Sequence, residues 1–161
     1  MPEVEESKRK AAILVEALPY VRRFRGSVFV VKYGGSFMDS PDPAVRAGVA
    51  RDLVFLHFVG IKVVVVHGGG KAVTRRLAEK GIEAEFVDGL RVTDEKTIEV
   101  VDEVLNGQVN EEVASFVSSN ECGVMRIPGK TALTCRKLAT ETDLGYVGEI
   151  TNVDADSIHD A

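Results

Sequence analysis

Two β-rich runs that end in glycines hold the residues best placed to do chemistry in this sequence. Val63-Val64-Val65-Val66-His67 runs straight into Gly68-Gly69-Gly70-Lys71, and Ser27-Val28-Phe29-Val30-Val31-Lys32-Tyr33 runs into Gly34-Gly35-Ser36. Without Cβ atoms, glycines let a chain turn sharply and let a ligand come close to peptide N–H groups. With the positive end of a helix behind them, those N–H groups form a site for an anion. One glycine would serve a plain strand-to-helix turn, so three in a row at Gly68, Gly69 and Gly70 favour a ligand. Lys32 stands two residues before the Gly34-Gly35 pair, from where a flexible ammonium can reach an anion held by glycine N–H groups. A charge in an otherwise apolar strand calls for a reason, the alternative being a lysine that snorkels at the strand end.

Other candidates are weaker. Arg91 follows Asp88-Gly89-Leu90, a turn that can aim a guanidinium at a carboxylate in bidentate fashion; an exposed arginine paired with Asp88 or Asp94 satisfies the same spacing. His67 could carry a proton or ligate, but a lone histidine at a strand end is more often structural. No second His or Cys lies at metal-ligand spacing, so no metal site is expected. Gly129-Lys130-Thr131 resembles the end of a P-loop, but the earlier glycine would fall at Val124. Gly70-Lys71 lacks the earlier glycine and the Ser/Thr, and no G-x-G-x-x-G follows either strand. No paired nucleophile and base is evident.

These residues need a scaffold. Four adjacent valines suit a parallel strand buried on both faces. Ser40-Pro41-Asp42-Pro43 carries helix-start signals, with Val45, Val49, Leu53 and Leu56 as an apolar face and Gly60 as the closing residue. Val73 and Leu77 mark a helix after the glycines, closed by Gly81. The order strand, helix, strand, helix predicts a right-handed parallel crossover, with both glycine turns lining one crevice at the carboxyl ends of the strands. Glu85-Phe86-Val87 is a candidate short edge strand. Thr93 is the expected N-cap of a long helix with Ile98, Val101, Leu105, Val109, Val113 and Phe116 on one face, and Gly107 in its middle weakens it or marks close packing. Residues 123–127 read as a further strand, 131–138 and 145–150 as the arms of a hairpin, and 151–161 as the start of a helix. The fold class is α/β: an open, mainly parallel sheet sandwiched between helices, with a hairpin near the C-terminus and an incomplete domain.

Residues 1–25 read as a separate helix, kinked or interrupted at Pro19. Leu14, Leu18 and Val21 form its apolar stripe, which could pack on its own domain or on a partner. Acids precede bases along it, as a helix dipole prefers, and the early glutamates argue against a transit peptide. The remaining 26–161 form one domain. With 161 residues, 45% hydrophobic and 28% charged, the composition is that of an ordinary globular chain. A net charge of −5 disfavours nucleic acid as a partner, and no apolar run approaches the ~18 residues of a membrane span. Cys122 and Cys135 read as reduced thiols, and a cytoplasmic setting is expected.

Taken together, Val31-Lys32-Tyr33-Gly34-Gly35, Val66-His67-Gly68-Gly69-Gly70 and Asp88-Gly89-Leu90-Arg91-Val92-Thr93 resemble the N-acetyl-L-glutamate kinases of the amino acid kinase family, from about residue 27 to about residue 150. The first two motifs suit the wider family, and the third is the specific one. The resemblance implies phosphorylation of the side-chain carboxylate of N-acetyl-L-glutamate in arginine biosynthesis, with MgATP as co-substrate. Carried over, Lys32 is catalytic and stabilises the transferring phosphoryl group, Gly34 and Gly35 bind phosphate, Gly68, Gly69 and Gly70 bind the substrate, and Arg91 binds its α-carboxylate. The leading helix resembles that of hexameric, arginine-inhibited members, which implies a homo-oligomer, dimer or hexamer, with arginine as inhibitor. Residues 126–130 depart from the family's usual segment. The family's chain is nearly twice as long, so the resemblance covers a truncated amino-acid-binding domain, with the nucleotide-binding half and its second lysine outside it. This chain alone is therefore expected to bind no MgATP and to phosphorylate nothing. The alternatives are a kinase for another acylated amino acid and a non-catalytic ligand-binding or assembly module.

Overall fold

A computed structural model describes residues 2–38, 40–119 and 122–160, and the side chains of Pro2, Ser36 and Phe37 fall outside that description. Chain order is α1 (Pro2–Phe24), β1 (Val28–Tyr33), α2 (Gly35–Met38), α3 (Pro43–Phe58), β2 (Lys62–His67), α4 (Gly70–Glu79), β3 (Phe86–Val87), β4 (Leu90–Arg91) and α5 (Glu95–Asp102). A π-helical segment, Glu103–Val109, then leads into α6 (Asn110–Ser118), α7 (Gly129–Ala132), β5 (Leu133–Lys137), β6 (Gly148–Val153) and α8 (Ala155–His159).

β1 and β2 pair in parallel from Val28↔Lys62 to Tyr33↔His67, joined through α3 as the crossover pattern predicts. Asp42 caps α3 by accepting from the Ala44 N–H at 2.8 Å, with Pro43 in the first turn, and Gly60 at φ 92° follows its C-cap Val59. α3 packs on β2 and on α6. The class is α/β as expected, but the parallel sheet has two strands among the described residues; β3–β4 and β5–β6 are separate antiparallel pairs. Burial alternates along β1, with Phe29, Val31 and Tyr33 turned inward and Val30 left 69% exposed. The valine strand is correspondingly half-buried, not buried on both faces, and Val66 is 51% exposed.

The core lies between α4 and the long helical run after it. Val73, Leu77, Val100, Val104 and Val109 form one buried cluster, flanked by Leu105, Val101 and Val113. Leu77 and Val104 are wholly inaccessible, and burial of each such side chain contributes about 1.5–3 kcal/mol. Of the expected face, Val109 is buried and Val101, Leu105 and Val113 flank the core, but before Val109 the fully buried positions lie one residue earlier than expected. Buried positions run 97, 100, 104, then 109, a step of five where the π turns insert an extra residue. Gly107, which costs an α-helix stability, sits inside that segment. The N-cap is Asp94, accepting from the Thr97 N–H at 2.8 Å, and not Thr93.

Two further expectations are corrected, and a third is narrowed. Residues 122–128 form no strand, because no strand among the described residues lies beside them to ladder with and Arg126 turns to the π segment instead. Residues 151–153 extend β6, so the last helix starts at Ala155; Ala161 lies outside the described residues. α1 runs through Pro19 uninterrupted, since on an exposed helix the carbonyl that loses its N–H partner can bond to water. Along its apolar stripe Leu14 and Leu18 are exposed and Val21 is half-buried, and at its end Phe24 meets Phe29 of β1 edge-on, ring centroids 5.4 Å apart. The expected hairpin forms from β5 and β6 with shifted ends, Thr131 and Ala132 belonging to α7, and both cysteines are free.

Candidate functional site

Because β1 and β2 end in register at Tyr33 and His67, their glycine turns leave the same edge of the sheet side by side. Lys32, exposed and opposite Val66, stands one residue before that edge. Gly34 and Gly35 lead into α2, a single turn whose Met38 N–H donates to the Gly34 carbonyl at 3.3 Å.

The second turn is held from several sides. The Gly68 N–H donates to the Tyr33 carbonyl at 3.0 Å, prolonging the sheet by one residue. That N–H is therefore already bonded within the sheet. Gly69 has φ 157°, and a Cβ there would come within 2.5 Å of Leu105 Cδ2, so glycine lets the turn lie flat on the π segment. The N–H groups of Gly69 and Gly70, at the start of α4, have no partner among the described residues. They remain available, with the helix dipole behind them.

Arg91 reaches this turn from a hairpin. Asp88 at φ 50° and Gly89 at φ 82° form the doubly positive turn that an Asp-Gly pair favours, pairing Phe86 with Arg91 and Val87 with Leu90. The Arg91 guanidinium lies 4.6 Å from the Phe86 ring centroid, and its Nη2 donates to the Gly70 carbonyl at 3.2 Å and Thr74 Oγ1 at 2.8 Å. It pairs with neither Asp88 nor Asp94. Nη1 is buried with no hydrogen-bond partner among the described residues, and burial lowers the guanidinium's pKa from the usual arginine value without discharging it. Thr93, itself buried, holds the Arg91 backbone by donating Oγ1–H to the Arg91 carbonyl at 2.8 Å. The Thr93 backbone is in turn bonded to Leu144 and Tyr146 at 2.9 and 2.7 Å.

Beneath the crevice, burial raises the Tyr33 hydroxyl's pKa, with Arg46 opposing the shift and Glu112 adding to it. Thr74, Phe86 and Asn110 were not found by sequence reasoning. Thr74 alone gave a signal, one turn along α4 from Gly70, where its hydroxyl also bonds the Gly70 carbonyl at 3.0 Å. No group of three His, Cys, Asp or Glu side chains among the described residues could hold a metal ion.

Fold and site thus define an α/β domain whose two glycine turns leave the carboxyl ends of paired parallel strands, with Lys32 one residue before that edge and Arg91 bonded to the second turn. The sequence pattern of the amino acid kinase family matches residues 27–161. The chain is 44% identical over 151 residues to the acetylglutamate kinase of Petrotoga mobilis, covering 92% of this chain and 50% of that protein. It is 48% identical over 153 residues to that of Caldanaerobacter subterraneus subsp. tengcongensis, with the same coverage. Among solved structures it resembles the N-acetylglutamate synthase of Neisseria gonorrhoeae complexed with coenzyme A and N-acetyl-glutamate. There the TM-score is 0.74 and the identity 26%, over 92% of this chain and 34% of that one. The chain belongs to the amino acid kinase family, and it spans about half the length of the curated relatives it matches.

Proposed function

We propose that this chain is the acceptor-binding half of an N-acetyl-L-glutamate kinase. The observation that carries the reading is Arg91, whose guanidinium is held at the glycine turn by its Nη2 bonds to the Gly70 carbonyl and Thr74 Oγ1. A carboxylate is the group that such an arginine accommodates best. The relatives named acetylglutamate kinase and the synthase structure complexed with N-acetyl-glutamate support the choice of acceptor.

In this reading, Arg91 binds the α-carboxylate, while the N–H groups of Gly69 and Gly70 orient the side-chain carboxylate. MgATP, the co-substrate of the complete enzyme, supplies the γ-phosphoryl group. An acceptor carboxylate oxygen forms the new bond to phosphorus as the bond to the ADP oxygen breaks, giving an acyl phosphate. Lys32, with the N–H groups of Gly34 and Gly35, balances charge on the group in transit; fixed positive potential and positioning are what such a transfer requires. The nucleotide-binding part lies outside this chain, which alone binds acceptor without turning it over. The exposed stripe of α1 serves a homo-oligomer, a dimer or hexamer; arginine is an inhibitor of the assembled enzyme, and the setting is cytoplasmic.

Calorimetry with N-acetylglutamate, acetylaspartate and arginine tests the assignment. N-acetylglutamate should bind, and Arg91→Ala should weaken it roughly ten- to hundredfold, the range for losing a charge-assisted hydrogen bond. Equal binding after that substitution rejects the role of Arg91.

A further inference from the structure

The back of the glycine turn is wired to a residue that the proposed function leaves unused. Arg126 Nε donates to Asn110 Oδ1 at 2.6 Å, and Nη2 donates to the Asn106 carbonyl, inside the π segment, at 3.2 Å. The Asn110 amide nitrogen lies 3.2 Å from His67 Nε2, and His67 Nδ1 lies 2.9 Å from the Gly68 carbonyl oxygen.

Both ends of this chain of bonds have fixed polarity. A guanidinium can only donate, so the amide atom facing Arg126 is the oxygen and the one facing His67 is NH2. His67 Nε2 must then accept, which puts the ring proton on Nδ1. The other end agrees independently, since a carbonyl can only accept and Gly68 O needs a donor at Nδ1. His67 is thereby a clamp on the Gly68 carbonyl and not a proton carrier.

The clamp sets the direction of the binding groups. In a trans peptide the C=O and the following N–H point opposite ways, so fixing the Gly68 carbonyl against His67 fixes the Gly69 N–H on the other side. We propose that Arg126 is a positioning residue for the glycine turn, acting through Asn110 and His67 to keep the Gly69 N–H aimed into the crevice. Its link to acceptor binding rests on the proposed function above, whereas its control of the His67 tautomer does not.

Long-range 1H–15N spectra of the histidine rings, recorded on the 161-residue chain above the usual imidazole titration range, test this. His67 is assigned by the loss of its signals in His67→Gln. The wild-type ring should be the Nδ1–H tautomer. Arg126→Ala should produce a mixture with Nε2–H and weaken N-acetylglutamate binding by up to about tenfold. Arg126→Lys, which keeps a donor for Asn110 Oδ1, should restore both in large part. Asn110→Asp leaves only acceptors opposite Nε2 and should move the proton there, a check independent of Arg126. A wild-type ring protonated at Nε2, or a tautomer unchanged in both Arg126→Ala and Asn110→Asp, overturns the inference. Absence of N-acetylglutamate binding to the wild type would reject the acceptor reading, while the tautomers would still decide the role of Arg126.

Discussion

The two glycine turns occupy equivalent places at neighbouring strand ends, yet they are supported very differently. The turn at Gly68–Gly70 touches β1 through Tyr33, the π segment through Leu105 and the β3–β4 hairpin through Arg91, and is tied to Asn110 of α6 by way of His67. The turn at Gly34–Gly35 opens into one turn of helix, and the neighbouring strand face presents Val28, Val30 and Lys32 to solvent. A binding group is useful in proportion to how firmly its neighbours fix it before the ligand arrives. The second turn is preorganised within this chain, and the first lies beside a strand face that the described residues leave uncovered. That division agrees with the acceptor-binding role proposed above.

Substitutions can break this contrast, beginning with the most damaging. Gly145→Ala puts a Cβ into the Thr93 carbonyl at a backbone φ of 71°, with no flexible side chain to give way. A destabilisation of the order of 3 kcal/mol is expected, along with loosening of the Arg91 hairpin, both readable by denaturant unfolding and by acceptor calorimetry. Gly69→Ala meets the end of Leu105, which can move, so about 1–3 kcal/mol is expected, with acceptor binding lost more completely than stability. Lys32→Met should change stability by no more than about 0.5 kcal/mol and leave acceptor binding nearly intact, while removing phosphoryl transfer in the complete enzyme. If Lys32→Met cost as much stability as Gly69→Ala, the two turns would be equally embedded and the contrast would fail.

Much of this arrangement was legible in the sequence, for local reasons. Valines followed by glycines, an Asp-Pro helix start and an Asp-Gly turn are short-range signals, and β2, α3 and the turn before Arg91 formed where those signals lay. The pairing of that turn's two sides into a hairpin was not read. What could not be read depended on distant partners. The extra residue at Glu103–Val109 shifts the helix face by one position, and only α4 and the glycine turn packed against it reveal why. Val124 and Met125 look like strand residues, but a strand exists only with a neighbour to pair with. The bond from the Gly68 N–H to the Tyr33 carbonyl depends on β1 lying alongside. Asn110 and Arg126, 43 and 59 residues beyond His67 in number, carry no pattern that would join them to it.

The most direct test of the acceptor site is a backbone-amide NMR titration of this chain with N-acetylglutamate. The account predicts saturable shifts at Gly69, Gly70 and the Arg91 hairpin, with the Gly68 amide, already bonded to Tyr33, moving least of the three glycines. Shifts centred away from the Gly68–Gly70 turn, or none at saturating ligand, would contradict it.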